Sequence, residues 1–165
     1  MSSNRKSLSP EAWRERLRAA GLRVTTPRLA ALDFLQTHPH SDAAGVLEGI
    51  TAQGTTATLQ GVHTLLKELA EHQLLRRVDL PDSGSARYET RIHDNHHHLR
   101  CVDCGRIEDV DCTIGAAPCL TPSEDHGMKI LAADVTFQAV CSDCQQLAQD
   151  RAGAAGTAAD VGQKF

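Results

Sequence analysis

The chain has 165 residues, 41% hydrophobic, 23% charged and 3% aromatic, with nine His and six Cys against five Phe, Tyr and Trp. That length can bury one core or two small ones. No stretch nears the roughly 18 consecutive apolar residues of a membrane span, and the charged N-terminal segment MSSNRKSLSPEAWRERLRAAG lacks the apolar run of a secretory signal, so no membrane association and a cytoplasmic location are expected.

Cytosolic thiols stay reduced, so six cysteines point to metal or redox chemistry more than to structural disulfides. The net charge of −4 argues mildly against nucleic acid, but it averages two unlike halves. Residues 1–92 carry +2 and residues 93–165 carry −6, while the first 28 residues hold seven basic side chains against two acidic ones. A basic front end joined to an acidic, Cys/His-rich back end suggests two jobs on one chain.

In chain order, Ser9-Pro10 reads as N-cap and first helical residue, with Trp13, Leu17 and Ala20 on one face and Gly21 as the stop. Thr26-Pro27 repeats the signal for a second helix whose face is Leu29, Leu32 and Leu35, ending before Pro39. Ser41 can cap a third helix that buries Ala43, Val46, Leu47 and Ile50. A fourth is expected from about Thr58, burying Val62, Leu65, Leu66 and Leu69. Residues 75–80 and 86–90 then read as strands flanking a Pro-Asp-Ser-Gly-Ser turn. Helix, short turn, helix and hairpin is the order of a winged helix-turn-helix; a generic helical domain with a hairpin has the same periodicities. Residues 91–95 carry little apolar content and can join two domains, and strand-like stretches follow within 99–110 and 129–140. The C-terminal residues 149–165, rich in small side chains and without periodicity, are expected to be a disordered tail.

Two CxxC pairs, Cys101/Cys104 and Cys141/Cys144, supply four thiolates, which suits a closed tetrahedral Zn²⁺ site. The competing reading is a redox dithiol, although neither pair sits in a strand-to-helix βαβ context. Cys112 and Cys119 match no ligand spacing and read as free thiols. Upstream, in the run His93-Asp-Asn-His96-His97-His98, an extended strand would project His96 and His98 from one face and His97 from the other. With carboxylates such as Glu89 and Asp109 nearby, that pair forms a mixed N/O set suited to Fe²⁺, Mn²⁺ or Zn²⁺. A solvated histidine loop is the other reading.

Taken together, GLRVTTPRLAAL (21–32), HPHSDAAGVLEGI (38–50), QGVHTLLKEL (60–69), RYE (87–89), HHHLRCVDCGRIEDV (96–110) and CSDC (141–144) resemble the ferric uptake regulator family, in order and at family-like spacing over about residues 8 to 146. Within it, the segment 94–121 is most similar to the peroxide-responsive actinobacterial regulators of catalase-peroxidase genes.

The resemblance implies an α+β chain: a winged helix-turn-helix DNA-binding domain over 1–90, a hinge at 91–95, and a small α/β dimerisation domain over 96–148 with a structural four-cysteine zinc site. It places Cys101, Cys104, Cys141 and Cys144 on the zinc ligands, and His40, Glu89, His96, His98 and Asp109 on a regulatory site for Fe²⁺ or Mn²⁺. It implies a homodimer, not an enzyme, that represses oxidative-stress or iron-homeostasis genes by binding a pseudo-palindromic double-stranded operator, with peroxide sensed through bound Fe²⁺. The alternative is a plain iron- or zinc-responsive repressor of metal uptake. Where family members with a further metal site place ligands, this chain has Asn95, Ala116 and Ala133, so no such site is expected.

For DNA contact the expected residues are Arg23, which resembles a minor-groove position, and Thr58, Gln60, His63 and Thr64 on the early turns of the fourth helix. His63 replaces the family's usual tyrosine. Arg14, Arg18 and Arg28 are candidate phosphate contacts, or simply a solvated surface.

Overall fold

The computed structural model describes residues 7–79, 84–92, 96–111, 124, 126–129 and 135–157. The chain divides into two compact units, Met1–Asp94 and Asn95–Phe165.

The first unit holds four helices and a hairpin. Helix α1 (Pro10–Ala19) starts where Ser9 accepts the Ala12 backbone N–H at 3.2 Å, and it buries Trp13 and Leu17. Helix α2 (Thr26–Thr37) begins one residue earlier than the Thr-Pro signal suggests: Thr25 occupies the cap position and Pro27 lies in the first turn. Helix α3 (Ala43–Ala52) is capped by Asp42, not Ser41, through a 2.9 Å bond from the Gly45 N–H. The Ser41 backbone is taken up instead by pairing with Tyr88 on the hairpin. A six-residue connection containing Gly54, at φ +83°, leads into helix α4 (Leu59–Glu71), capped by Thr58. Only glycine adopts that left-handed turn without a steric penalty. Strands β1 (Arg76–Val78) and β2 (Arg87–Glu89) pair antiparallel with Arg76 opposite Glu89. One apolar cluster unites Trp13, Leu17, Leu32, Leu35, Val46, Ile50, Leu66, Leu69 and Tyr88. The order α3, turn, α4, hairpin is that of a winged helix-turn-helix.

Asp42 does two things: besides capping α3, its other carboxylate oxygen accepts from Ser85 Oγ at 3.0 Å and lies 3.7 Å from Arg87. The Gly45 N–H, ahead of the other contacts, holds its carboxyl below the usual range. A depressed pKa contributes stability above the unfolded value near pH 4, and that contribution is lost as pH falls through the folded value. Asp42→Ala is expected to cost about 1–2 kcal/mol at neutral pH, the scale of a lost N-cap. Urea denaturation followed by fluorescence of Trp13, the chain's one tryptophan, measures it. The deficit should shrink in acid.

The second unit is a three-stranded sheet in the order β4-β3-β5, with β3 (His96–Cys101) antiparallel to β4 (Ile107–Asp111) and parallel to β5 (Thr136–Ala139). His96, His97 and His98 are thus part of a strand. Helix α5 (Ser142–Thr157) follows. Its length corrects the expectation of a disordered tail from residue 149: Ala, Gln and Arg favour helix strongly, and the turn started at the second CxxC carries them onward in spite of Gly153 and Gly156. Residues 158–165 lie outside the described residues, as do Asn95, Cys112, Ala116, Cys119 and Ala133. Among the described residues, no helix is long and apolar enough to cross a membrane.

Candidate metal centre and nucleic-acid interface

The sheet of the second unit places Cys101 at the end of β3 and Cys104 in the turn before β4, while the chain leaving β5 brings Cys141 and Cys144 to the start of α5. Their four sulfurs lie within 4.8 Å of one another, and no disulfide joins them. A tetrahedral ion with Zn–S bonds of about 2.3 Å requires sulfurs about 3.8 Å apart; Cys104 and Cys141 stand at 3.7 Å.

The electrostatics fit a cation as well. The Cys101 thiol is lowered to about 6, first by the Cys104 backbone N–H and next by that of Cys141, whose N–H reaches its sulfur at 3.3 Å. Cys144 is pushed up instead, chiefly by the neighbouring Cys141 thiol. Four adjacent thiols cannot all ionise unaided, and a divalent cation removes that conflict. Arg106 braces the knuckle, donating to Glu108 at 2.9 Å and to Asp143 at 3.2 Å. The donor set and geometry suit structural Zn²⁺.

The other metal-ligand candidates fall into two groups, one per unit. In the first, His40 Nε2 and Glu89 Oε2 are 2.9 Å apart, both buried. His40 has φ +60°, a left-handed conformation uncommon outside glycine. It is held there because its N–H donates to the Tyr88 carbonyl at 2.9 Å, while the Tyr88 N–H returns to Ser41 at 3.0 Å. Backbone strain of this kind concentrates at functional positions. Arg76 Nε lies 3.7 Å from the second Glu89 oxygen, a neighbour that sequence reasoning missed. The β1–β2 register, which a sequence does not print, puts it there.

In the second unit, strand alternation sets His96 and His98 on one face with their rings 5.0 Å apart. His97 turns to the other face, its ring edge-on to Phe137 at 6.2 Å. The register sets Asp109 opposite His98, and Asp109 Oδ1 lies 3.9 Å from His98 Nε2. It also sets Asp111 opposite His96 on the same face, a carboxylate not named from the sequence; alternation along β4 from Asp109 would have found it.

Of the DNA candidates, Arg23, Thr58, Gln60, His63 and Thr64 are all exposed. Two are partly engaged: Thr58 caps α4, and the Thr64 hydroxyl donates to the Gln60 carbonyl at 2.9 Å. Arg23, Thr58, Gln60 and Thr64 line one open groove of about 450 Å³ between the loop before α2 and the first turns of α4; His63 is outside it. Arg14 and Arg18 face Glu11 at 2.9 and 3.9 Å.

A winged helix-turn-helix with exposed polar residues on the first turns of its second helix and an exposed Arg23 just before α2, followed by a four-thiol knuckle and a His/carboxylate sheet face, defines a metal-responsive DNA-binding regulator. The pattern of the Ferric uptake regulator family matches residues 19–138, and the chain belongs to that family.

Ferric uptake regulation protein 1 of Mycolicibacterium fortuitum is 46% identical over 123 residues, covering 74% of this chain and 76% of the relative. The transcriptional regulator FurA of Mycobacterium tuberculosis is 41% identical over 132 residues, covering 80% and 89%. The Helicobacter pylori ferric uptake regulator shares the fold with a TM-score of 0.64 at 19% identity, covering 84% of this chain and 95% of that one. The Vibrio cholerae regulator does so at 0.61 and 22%, covering 78% and 98%. The chain is a transcriptional regulator and not an enzyme.

Proposed function

We propose that this protein is a cytoplasmic, homodimeric, iron-responsive repressor that binds a pseudo-palindromic duplex through its first unit when a regulatory Fe²⁺ or Mn²⁺ is held by His40, Glu89, His96, His98 and Asp109. The observation that carries the reading is the matched pairing of imidazole and buried carboxylate in each unit, His40 with Glu89 at 2.9 Å and His98 with Asp109 at 3.9 Å. Mixed imidazole and carboxylate donors suit Fe²⁺ and Mn²⁺, and the all-thiol cluster suits Zn²⁺, so the two kinds of ion sort between the sites. His40 and Glu89 belong to the unit that carries α4; the other three donors belong to the sheet. An ion needing both sets would restrain the units relative to each other, coupling metal binding to DNA binding by differential affinity. Dimerisation is supported by the apolar cross-strand pair Leu99 and Phe137, with Phe137 48% exposed, and by Leu147 on α5, 56% exposed.

Gel-shift titration of a duplex selected from a random pool tests the reading. Fe²⁺ or Mn²⁺ is expected to raise affinity at least about tenfold over chelator, within the usual range of coupling energies. Equal affinity in chelator and in metal would sink the proposal.

A second reading, peroxide sensing at the same site, is favoured by Asp109, where the resembling peroxide-responsive branch also carries aspartate. Bound Fe²⁺ would supply the redox chemistry by which peroxide oxidises an adjacent imidazole. Peroxide should then release DNA from the Fe²⁺-loaded protein but not the Mn²⁺-loaded protein, and mass spectrometry should find one added oxygen on the peptide of His40 or His96. Unmodified histidines after DNA release would leave the plain iron-responsive reading.

A further inference from the structure

Arg28 occupies the third position of α2, where its positive charge faces the positive end of the helix macrodipole. Its side chain is only 15% exposed, so the charge also lacks much of its hydration. Such a cation persists where specific partners hold it. Arg28 has two from different parts of the unit: Nη1 donates to the Arg23 carbonyl at 2.5 Å, and Nη2 donates to the Glu68 carboxylate at 2.5 Å. The first lies in the loop that displays the exposed Arg23, and the second on α4, the helix that displays Gln60 and Thr64. Both segments line the open groove described above, and so do Arg28 and Glu68, whose bond links one to the other.

We infer that Arg28 is a positioning residue for DNA binding: with Glu68 it clamps the Arg23 loop to α4, setting how far Arg23 stands from the base-facing turns of the helix, and it is not itself a phosphate contact. The chemistry of the guanidinium suits this task. Its planar fork directs donors along two fixed edges, so one side chain orients a carbonyl and a carboxylate at once; a lysine ammonium keeps the charge but not the fork. Glu68 is explained by the same arrangement. A carboxylate on a DNA-facing helix repels phosphates, and here Arg28 neutralises it locally. The arrangement is compatible with major-groove reading by α4 and a separate contact by Arg23, since two reading elements on one duplex must keep a fixed spacing.

The inference rests on the DNA-binding reading of this unit, and one set of titrations separates the two. Wild-type protein, Arg28→Lys, Glu68→Ala, Arg23→Ala and the Arg28→Lys/Arg23→Ala double variant are titrated, metal-loaded, against the duplex selected by the wild type. Arg28→Lys and Glu68→Ala should each weaken binding about tenfold, the scale of one lost charged hydrogen bond, although the first conserves charge and the second removes a repulsive one. In the Arg23→Ala background, Arg28→Lys should cost nothing further, because the loop then has no guanidinium to place. Tighter binding by Glu68→Ala, wild-type affinity in Arg28→Lys, or losses that add to that of Arg23→Ala would each overturn the clamp and mark Arg28 as an ordinary phosphate contact or a bystander. Trp13 fluorescence and melting identify any variant that has lost its fold. If Arg28→Lys is one, Glu68→Ala, whose side chain is 36% exposed, carries the test by the sign of its effect. A wild type that binds no duplex would instead defeat the DNA-binding reading.

Discussion

Replacing Cys141 with serine is expected to strip zinc from the protein and unfold the second unit while the first still folds. The reason lies in where apolar side chains go. The first unit buries a cluster of leucines, Trp13, Phe34 and Tyr88, whereas among the described residues of the second unit no aliphatic or aromatic side chain is buried. Among those described residues Cys101 is the one buried hydrophobic residue, alongside the polar His96, His97 and His98. Leu99, Val102, Phe137, Val140 and Leu147 are exposed. With so little apolar burial among these residues, the knuckle is expected to supply much of the energy that orders the three strands. A structural zinc site supplies about 10–16 kcal/mol of apparent binding energy, all of it folding energy when no site exists in the unfolded chain. Losing one thiolate leaves three, and β5 with α5 is no longer tied to β3. Hydrogen exchange should show protection of residues 96–111 and 135–147 falling to the level of an unfolded chain, with residues 10–78 nearly unchanged. Retention of one zinc per chain and of sheet protection would refute a structural role for the cluster.

Gly49→Ala should destabilise the first unit by about 1–3 kcal/mol, the usual cost of overpacking a core. Two effects of opposite sign compete. Alanine in a helix interior gains up to about 1 kcal/mol over glycine. Yet a Cβ at residue 49 would stand 2.0 Å from Phe34 Cε2 and within 2.5 Å of two more ring atoms, far inside the contact distance of about 3.5–4 Å. The ring cannot step aside freely, since it is 9% exposed and stacked on His38 with centroids 4.4 Å apart. Its displacement forfeits packing worth more than the helix gain. Urea denaturation followed at Trp13 measures the net change; a variant as stable as the parent would mean that α3 and α2 separate cheaply.

Much of this was legible in the residues. The helix start signals, the Leu and Val faces of α2 to α4 and the turn-rich hairpin are local, so periodicity and capping chemistry locate them to within a residue or two. The errors came from competition between neighbours. Asp42 took the α3 cap from Ser41 because Ser41 was recruited by Tyr88, a residue 47 positions away. The α5 helix ran past residue 149 because its propensity outlasted the glycines that suggested a tail. At the metal centres, the CxxC spacing announced four thiols, and strand alternation put His96 and His98 on one face.

What the sequence determined by itself was therefore which groups exist and which local elements carry them, since those depend on neighbours a few residues apart. What only the tertiary structure decided was which distant groups meet. It brought Glu89 to His40, set Arg76 beside the same carboxylate, placed Asp109 opposite His98, closed the cysteine pairs across 36 intervening residues, and turned Arg28 inward to Arg23 and Glu68. Strand register and helix crossing follow from packing the whole core, and no short-range pattern encodes them.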